Sequence, residues 1–411
     1  MKRKISMLLT LAMCVTMVLG ACSNSETPAG TLQSSASDAA QSADSSATEV
    51  SEADAATEDT AASTADTQEG ETRTIVDHNG NEVVLPKEIN RIVIGGLTPL
   101  PSVYCMVMGS TDKLVGIDPS AQNAAQHSVM NKLMPDLAKL PTTFLVDNVM
   151  NVEELLKLEP DVVLNHGNMP EHHEACVQAG IPSVQFSVSL FKDENFNTIK
   201  TMNAWVELLG EVLGIETTTQ ALIEYGENVE KLVMDGVADL TEEEKVDVLV
   251  LYNYNGNTIT AAGQTFAKYW ATAAGGNYLT ADMETGTAEV DMEWIYEKDP
   301  EVILLSSFSA YEPEDFYNNT LGEGHDWSSV RAVQNRRVYK FPLGTYYWYP
   351  PSSDAPLALL WTAKCLYPER FEDVDLDYEV KNYYKTFYGV EITDEDLQMI
   401  YYPSEESATN W

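Results

Sequence analysis

The stretch NVEELLKLEPDVVL (151–164) predicts a short helix that begins on acidic residues and leads into a buried strand. A second stretch, VDMEWIYEKDPEVILL (290–305), repeats this pattern later in the chain. In each copy a proline between two acids, Pro160 or Pro300, ends the helix, because proline cannot continue the helical hydrogen-bond ladder. One helix–strand unit that is built twice predicts two similar lobes.

The rest of the folded part alternates between short apolar strands and helices. The predicted strands include RIVIGG, KLVGID, DVVLNHG and KVDVLVLYNY. Strands of this kind, separated by helices, are typical of parallel βαβ units. Before them, TIVDHNGNEVVL (74–85) predicts a hairpin that turns at Asn79-Gly80.

The region 195–240 shows no strand pattern and instead holds two amphipathic helical stretches. The second of them is long enough to span about 30 Å. We therefore predict an α/β fold, with two α/β lobes of mainly parallel sheets joined by a single long α-helix. The predicted N-terminal lobe covers 73–194, the helical region with the inter-lobe helix covers 195–240, and the C-terminal lobe covers 241–411.

The segment 1–22 is predicted to be a targeting signal and not part of the fold. Basic residues at positions 2–4 precede an apolar run that is short for a membrane span. The run ends in LGAC (19–22), which resembles the bacterial lipobox. This resemblance implies a lipoprotein signal peptide, acylation of Cys22 and a lipid-anchored protein at the extracellular face of the cell membrane. The alternative is an ordinary secretory signal with a chance cysteine.

Charge and cysteine content exclude several classes of protein. The segment 23–72 is rich in Ser, Ala and acids and has no Lys, Arg or aromatic residue, so we expect a disordered acidic tether. The whole chain carries a net charge of −40, which leaves no basic footprint for nucleic acid. Cys105, Cys176 and Cys365 show no metal-binding spacing and are expected to be small buried side chains.

Five stretches spread over the folded part carry a resemblance to a known family. They are the opening TIVDHNGNEVVLPKEINRIVI, the two repeated units, VRAVQNRRVYKFP and PLALLWTAKCLYPERF. Together and in this order they resemble the ABC-transporter substrate-binding proteins that handle iron-siderophore complexes, haem and cobalamin. The resemblance implies two lobes bridged by a rigid helix, a ligand cleft between the lobes, and an ABC permease with its ATPase as partners. The sequence shows no HExxH-type spacing, nucleophile elbow or phosphate loop, so we expect no enzymatic activity, and we also expect no resident cofactor and a monomer.

The same resemblance assigns a role to one residue in each repeated unit. In this family a surface glutamate on each lobe docks onto arginines of the permease, and the matching positions are Glu153 and Glu293. An exposed carboxylate is a good bidentate acceptor for a guanidinium group. Helix capping is the alternative reading of these acids, and it accounts for Asn151, Glu154 and Asp291.

The ligand is expected at the carboxyl ends of the parallel strands. The loops predicted there contain many aromatic residues and, except for Lys192 just past one of them, no Lys or Arg. This composition favours a neutral or cationic metal chelate or a flat macrocycle over a triply anionic one. We therefore predict an iron(III)-siderophore or a related metal chelate, with haem or cobalamin as the alternative. The predicted ligand-binding residues are Thr98, His166, Tyr254, Asn257, Tyr346, Tyr347 and Trp348, although several of the tyrosines would serve equally well in a core.

A cluster of histidines leaves a metal site and an enzyme as further alternatives. His166 follows a strand, and His172, His173 and Glu174 come shortly after it. Neutral imidazole is a common metal ligand, but adjacent residues on a helix point in different directions. A metal-dependent hydrolase built on this cluster, and a surface adhesin or sensor, are the competing functions. A phenolate from Tyr346 or Tyr347 is a second candidate haem ligand.

Overall fold

The computed structural model describes residues 71–403, and of 216–218 it describes only the backbone. The predicted signal peptide, Cys22 and most of the predicted tether lie outside the described residues. The described residues belong to one compact unit. None of the helices in this range is long and apolar enough to cross a membrane.

Fourteen strands occur within 71–403. They are β1 (Thr72–Val76), β2 (Glu82–Pro86), β3 (Ile92–Gly95), β4 (Leu114–Ile117), β5 (Leu145–Val146), β6 (Val149–Met150), β7 (Val162–His166), β8 (Ser183–Phe186), β9 (Asp247–Asn255), β10 (Thr258–Ala262), β11 (Asn277–Tyr278), β12 (Thr287–Val290), β13 (Val302–Leu305) and β14 (Val338–Lys340).

Fourteen α-helices occur in the same range. They are α1 (Leu100–Met108), α2 (Pro119–Gln126), α3 (Met130–Leu133), α4 (Val152–Lys157), α5 (Pro170–Gln178), α6 (Thr198–Leu213), α7 (Glu216–Val237), α8 (Phe266–Ala273), α9 (Met292–Lys298), α10 (Pro313–Asn318), α11 (Arg331–Gln334), α12 (Ala355–Leu366), α13 (Leu376–Tyr388) and α14 (Asp394–Tyr401).

The first lobe contains a four-stranded sheet in the order β4-β3-β7-β8, and every pair in it is parallel. The predicted βαβ pattern is confirmed here, and β3 and β8 are buried along their whole length, as expected for strands covered on both faces. The predicted hairpin is confirmed as well. Strands β1 and β2 pair antiparallel, and Gly80 takes a left-handed backbone conformation (φ 83°) in the turn.

The second lobe differs from a purely parallel arrangement. Its main strand order is β12-β10-β9-β13-β14, with β11 also pairing with β9. Strands β9, β11, β13 and β14 are mutually parallel where they pair, whereas β10 joins β9 and β12 antiparallel. The strand predicted from KVDVLVLYNY extends one residue further, because β9 continues to Asn255 and turns through Gly256 and Asn257 into β10. The Asn255-Gly256 dipeptide is a hairpin signal that the sequence reading overlooked.

A layer of helices connects the two lobes. Helix α7 has 22 residues and spans about 33 Å at 1.5 Å per residue. It packs on α6 and on α12, while α6 also packs on α1. The main hydrophobic core runs without a break through both lobes, from Ile75 to Ile400. The prediction of two α/β lobes joined by a long helix is confirmed, whereas the exact domain boundaries stay a prediction.

Candidate ligand-binding cleft and docking faces

The carboxyl ends of the parallel strands mark one edge of each sheet, where ligands bind in open α/β folds. In the first lobe this edge follows β3, β4 and β7, and in the second it follows β9, β13 and β14. A hydrogen bond joins the two edges. The hydroxyl of Tyr346, in the segment after β14, donates to the hydroxyl of Thr98, after β3, at 2.6 Å. Two of the predicted ligand-binding residues thus meet across the cleft.

The segment that carries Tyr346 is packed tightly against the first lobe. Tyr346, Tyr347 and Leu343 form an apolar cluster with Ala124 of α2, and Tyr346 is only 2% exposed. Burial raises the pKa of Tyr346 well above its ordinary value, although the hydrogen bond to Thr98 lowers it. The phenol is therefore protonated, and a phenolate ligand for haem would have to form against the cost of burial.

Asp354 anchors the segment that carries Tyr346. One carboxylate oxygen accepts three hydrogen bonds, from the amide of Thr345 (2.7 Å), the hydroxyl of Tyr384 (2.9 Å) and the indole of Trp348 (3.1 Å). A Cβ atom at Gly344 would lie 2.1 Å from the same oxygen, so only glycine fits there. Burial raises the pKa of Asp354 to about 6, and the three donors oppose the rise. The sequence analysis did not select this buried carboxylate.

A second polar contact crosses between the lobes beside Asp354. The hydroxyl of Ser353 donates to that of Ser102, in α1, at 3.1 Å. The hydroxyl of Tyr388 lies within 3.1 Å of the Ser102 carbonyl oxygen and of Ser353 Oγ. Because all three residues are buried, these hydrogen bonds fix the base of the Tyr346 segment against the first lobe.

The first-lobe edge carries a buried carboxylate that sequence reasoning did not select. Asp118 follows β4 and caps α2, accepting a hydrogen bond from the amide of Ser120 at 2.7 Å. Burial raises the pKa of Asp118, and backbone hydrogen bonds, including one from Gly96, oppose the rise. Its charge also acts on Tyr346, which places this carboxylate near the Thr98–Tyr346 contact. An Asp-Pro-Ser sequence directly after a strand was the available signal.

His166 lies at the end of β7 on the same edge. Its Nδ1 accepts a hydrogen bond from the amide of Asn168 at 2.9 Å, so the neutral ring carries its proton on Nε2. Burial lowers the pKa of His166 to about 4, and the neighbouring His172 lowers it further. At neutral pH this residue is therefore an uncharged hydrogen-bond donor.

The three clustered histidines do not form one ligand set. His172 is buried, and its Nε2 donates to the carbonyl of Asn148 at 2.8 Å. His173 bonds to the hydroxyl of Ser183 at 2.9 Å. Across residues 71–403 no group of three or more His, Cys, Asp or Glu side chains is placed to hold a metal ion. This arrangement gives no support to a metal-dependent hydrolase.

The remaining predicted ligand-binding residues lie in different environments. Tyr254 is in strand β9 with its ring in the core, where its hydroxyl contacts His325 Nδ1 at 2.7 Å and accepts from Trp327 at 3.1 Å. Asn257 is exposed in the β9–β10 turn, and its side-chain oxygen Oδ1 accepts a hydrogen bond from the backbone amide of Glu323 at 2.7 Å. Trp348 is fully buried on Asp354. Structure alone therefore brings together Thr98, Tyr346 and the neighbouring Tyr347, and the ligand contacts of all seven residues stay predictions.

The second-lobe edge also offers an aromatic wall. Tyr252 packs against Phe308 (ring centroids 4.9 Å apart) and against Tyr349 (6.0 Å). Next to Phe308 in the chain, the segment after β13 holds Ser307, whose buried hydroxyl has no hydrogen-bond partner in the described part of the chain. A buried hydroxyl without a partner is uncommon and suits a group that binds a ligand.

The repeated unit forms the same local structure in both lobes. Asn151 caps α4 by accepting the amide of Glu154 at 3.2 Å, and Asp291 caps α9 by accepting the amide of Trp294 at 2.9 Å. The capping roles predicted for Asn151 and Asp291 are confirmed.

Glu153 and Glu293 take no part in the caps and are exposed. The side chain of Glu153 is 85% accessible, and Lys157 lies 3.3 Å away as an exposed ion-pair partner. Exposed pairs of this kind contribute little, so the carboxylate can exchange Lys157 for another cation. The first turns of α4 and α9 thus each present an acid to solvent, which is compatible with the docking role but does not test it.

Two α/β lobes, a connecting helix and two strand edges that meet between the lobes define a two-lobe solute-binding protein. The chain belongs to the periplasmic binding protein family, whose model matches residues 92–343. Members of this family are non-enzymatic substrate-binding components of ABC importers.

Three relatives place the chain within this class. A solved periplasmic solute-binding protein from Veillonella parvula is 34% identical, with a TM-score of 0.72, over 80% of this chain and 97% of that one. The molybdate-binding protein MolA of Haemophilus influenzae is 26% identical over 77% of this chain and 91% of its own length. Its molybdate-bound structure aligns with a TM-score of 0.65 over 78% of this chain and 99% of that one. The uncharacterized ABC transporter substrate-binding lipoprotein YvrC of Bacillus subtilis is 23% identical over 65% of this chain and 77% of its own length.

Proposed function

We propose that this substrate-binding protein captures an iron(III)-siderophore or a related metal chelate that is uncharged or cationic, and delivers it to an ABC permease. The observation that carries the proposal is the charge of the first-lobe edge. There the buried carboxylate of Asp118 lies near Thr98 and Tyr346, and His166 is neutral. A trianionic ligand would have to approach a buried negative charge without a compensating Lys or Arg in the ligand loops.

A small tetrahedral oxyanion such as molybdate is the second candidate. The relatedness to MolA favours it. Uncharged donors are also available for an oxyanion, namely the Nε2 proton of His166 and the hydroxyls of Thr98, Tyr346 and Ser307. The carboxylate of Asp118 opposes this candidate, because like charges in a buried site destabilise each other. Haem and cobalamin remain the alternatives within the chelate class, to be received by the aromatic wall of the second lobe.

The proposed partner surface is the pair Glu153 and Glu293. Each glutamate, one on each lobe, binds an arginine of the permease, so that the permease senses the relative position of the lobes. Acylation of Cys22 would then hold a monomeric protein at the extracellular face of the membrane, close to its permease. An adhesin or sensor with the same fold would need neither glutamate.

A titration of purified protein separates the two ligand classes. The panel contains an uncharged ferric trihydroxamate, a triply anionic ferric catecholate, haem, cobalamin and sodium molybdate, followed by tryptophan fluorescence and calorimetry. We expect tight binding of an uncharged or cationic chelate and weak binding of the catecholate. Tight catecholate binding, or binding of nothing in the panel, would overturn the proposal.

Asp118→Asn sharpens this test, because asparagine caps a helix as well as aspartate does. Removal of the charge should weaken the binding of a cationic chelate, leave an uncharged one within about twofold, and tighten molybdate by roughly tenfold or more. A molybdate Kd that is tight in the wild type and unaffected by Asp118→Asn would assign the protein to oxyanions and refute the chelate.

A further inference from the structure

The β5–β6 hairpin leads directly into α4, and both carry exposed apolar side chains close in sequence to Glu153. Strands β5 and β6 pair Val146 directly with Val149, and both valines are exposed, by 56% and 68%. Their neighbours Leu145 and Met150 take the opposite face of the hairpin, and Leu145 is buried. Leu156, three residues after Glu153 on the same helix face, is 49% exposed. We call Val146, Val149 and Leu156 the apolar collar of Glu153.

This hairpin is held in place before any partner arrives. Its turn residues Asp147 and Asn148 both take left-handed backbone conformations, at φ 49° and 59°. The buried His172 donates to the carbonyl of Asn148 at 2.8 Å, and the amide of Asn151 donates to the carbonyl of Phe144 at 2.8 Å. A two-stranded hairpin of this size is not stable by itself, so these contacts are what keeps the two valines displayed. A preorganised surface loses little entropy on binding.

The second lobe repeats part of the arrangement. Three residues after Glu293, Tyr296 is 44% exposed on α9, at the position that matches Leu156. Its hydroxyl donates to the carbonyl of Asp326 at 2.6 Å, which fixes the ring on the surface. In both copies, therefore, an exposed acid is followed one helical turn later by an exposed large apolar side chain.

We propose that the apolar collar, with Tyr296 as its smaller counterpart, is a binding surface for the membrane permease, and that it packs around each arginine that the glutamates receive. The proposal rests on the docking role proposed for Glu153 and Glu293. The partner it fits is a protein surface that presents guanidinium groups set among apolar side chains. Apolar neighbours exclude water from an ion pair, and a desolvated Arg–carboxylate pair is stronger than an exposed one. The β5–β6 hairpin precedes α4 and, within the described residues, has no counterpart before α9, so the surface of the first lobe at Glu153 differs from that of the second lobe at Glu293. This difference determines which lobe binds which part of the permease.

The test replaces the collar by polar side chains of similar shape, in the variant Val146→Thr/Val149→Thr/Leu156→Gln. The matched control is Val76→Thr/Val84→Thr/Met234→Gln, whose residues are equally exposed (56%, 57% and 52%) in the β1–β2 hairpin and in α7. Each variant replaces the wild-type gene in the native cells. Uptake is followed with the panel compound that binds, either a ⁵⁵Fe-labelled ferric trihydroxamate or ⁹⁹Mo-molybdate. Thermal unfolding and Kd are measured on the purified proteins.

We expect the collar variant to lower the uptake rate at least tenfold, with Kd and Tm close to the wild type, while the control stays within twofold. Uptake at the wild-type rate with Glu153 and Glu293 still required would refute the collar and leave the docking role standing. A failure of every panel compound to bind would instead refute the proposed function. A wild-type dimer that the collar variant dissociates would assign the surface to a second copy, and lipid-vesicle binding of the unacylated protein that the variant abolishes would assign it to the bilayer. Either outcome would refute the permease as the partner of this surface.

Discussion

The hydroxyl of Tyr346 donates a hydrogen bond to the hydroxyl of Thr98 across the cleft, over 248 positions of sequence. The donor belongs to the second lobe and the acceptor to the first. The donor segment is anchored by Asp354 and packed on α2. Any ligand that enters between the lobes therefore has to replace this contact or bind beside it.

Tyr346→Phe should loosen this part of the cleft without unfolding the protein. One neutral hydrogen bond contributes about 1 kcal/mol net, so we expect the amides of 343–348 to exchange with solvent roughly fivefold faster. Hydrogen–deuterium exchange with mass spectrometry measures this effect. Tyr401→Phe is the control, because its hydroxyl bonds to Asp377 at 3.0 Å within the second lobe. Equal exchange of 343–348 in both variants would show that the contact does not hold the cleft.

Glu153→Arg together with Glu293→Arg should abolish uptake and leave ligand affinity within about twofold of the wild type. Reversal of each charge would place two cations against the cations of the permease, and like-charge contacts at an interface cost several kcal/mol. Uptake in native cells and calorimetry on the purified protein measure the two effects. The control Glu243→Arg/Glu395→Arg reverses two other exposed acids and changes the net charge equally. Normal uptake by the first variant would exclude the docking role.

Asp354→Asn should change how stability depends on pH. The folded pKa is about 6, above the value near 4 that the unfolded carboxyl has, so the folded state keeps a proton that the unfolded state has lost. The stabilisation from this group is complete below about pH 4 and is lost as pH rises to about 6, by about 3 kcal/mol. Urea unfolding is measured at steps from pH 4 to 6.5. Over this range the free energy of unfolding of the variant should rise by that amount relative to the wild type. Parallel curves for the two proteins would contradict a buried titrating Asp354.

Glu230→Ala should destabilise the contacts of helix α7 with α6 and α8. One carboxylate oxygen of Glu230 accepts from the side-chain amide of Asn197 at 2.7 Å and from the hydroxyl of Tyr269 at 2.8 Å. Asn197 caps α6, and Tyr269 is buried in α8, so both partners would lose a charged acceptor. We expect the free energy of unfolding to fall by about 2–4 kcal/mol. Glu227→Ala, at an exposed position on the same helix, should change it by less than about 0.5 kcal/mol, and equal losses would refute the link.

Local patterns predicted the elements well, because each depends on neighbours in the chain. Alternation and proline breaks located the strands and helices of the repeated unit, and the residues that precede its helices, Asn151 and Asp291, are caps. The β9–β10 hairpin was not predicted, although its Asn255-Gly256 turn is a hairpin signal. The burial of Tyr254 and Trp348 was not readable in the same way, because their partners His325 and Asp354 lie outside their own elements.

The sequence by itself determined the class of fold, the order of elements, the two copies of the helix–strand unit and the absence of Lys and Arg from the predicted ligand loops. These follow from periodicity, breakers and composition, which are local properties of the chain. Only the tertiary structure decided that Thr98 meets Tyr346, that Asp118 and Asp354 are buried near that contact, and that the β5–β6 hairpin exposes its valines directly before α4. Contacts between residues far apart in sequence depend on how the lobes pack, and hydrogen bonds of a few ångströms are set only once that packing is complete.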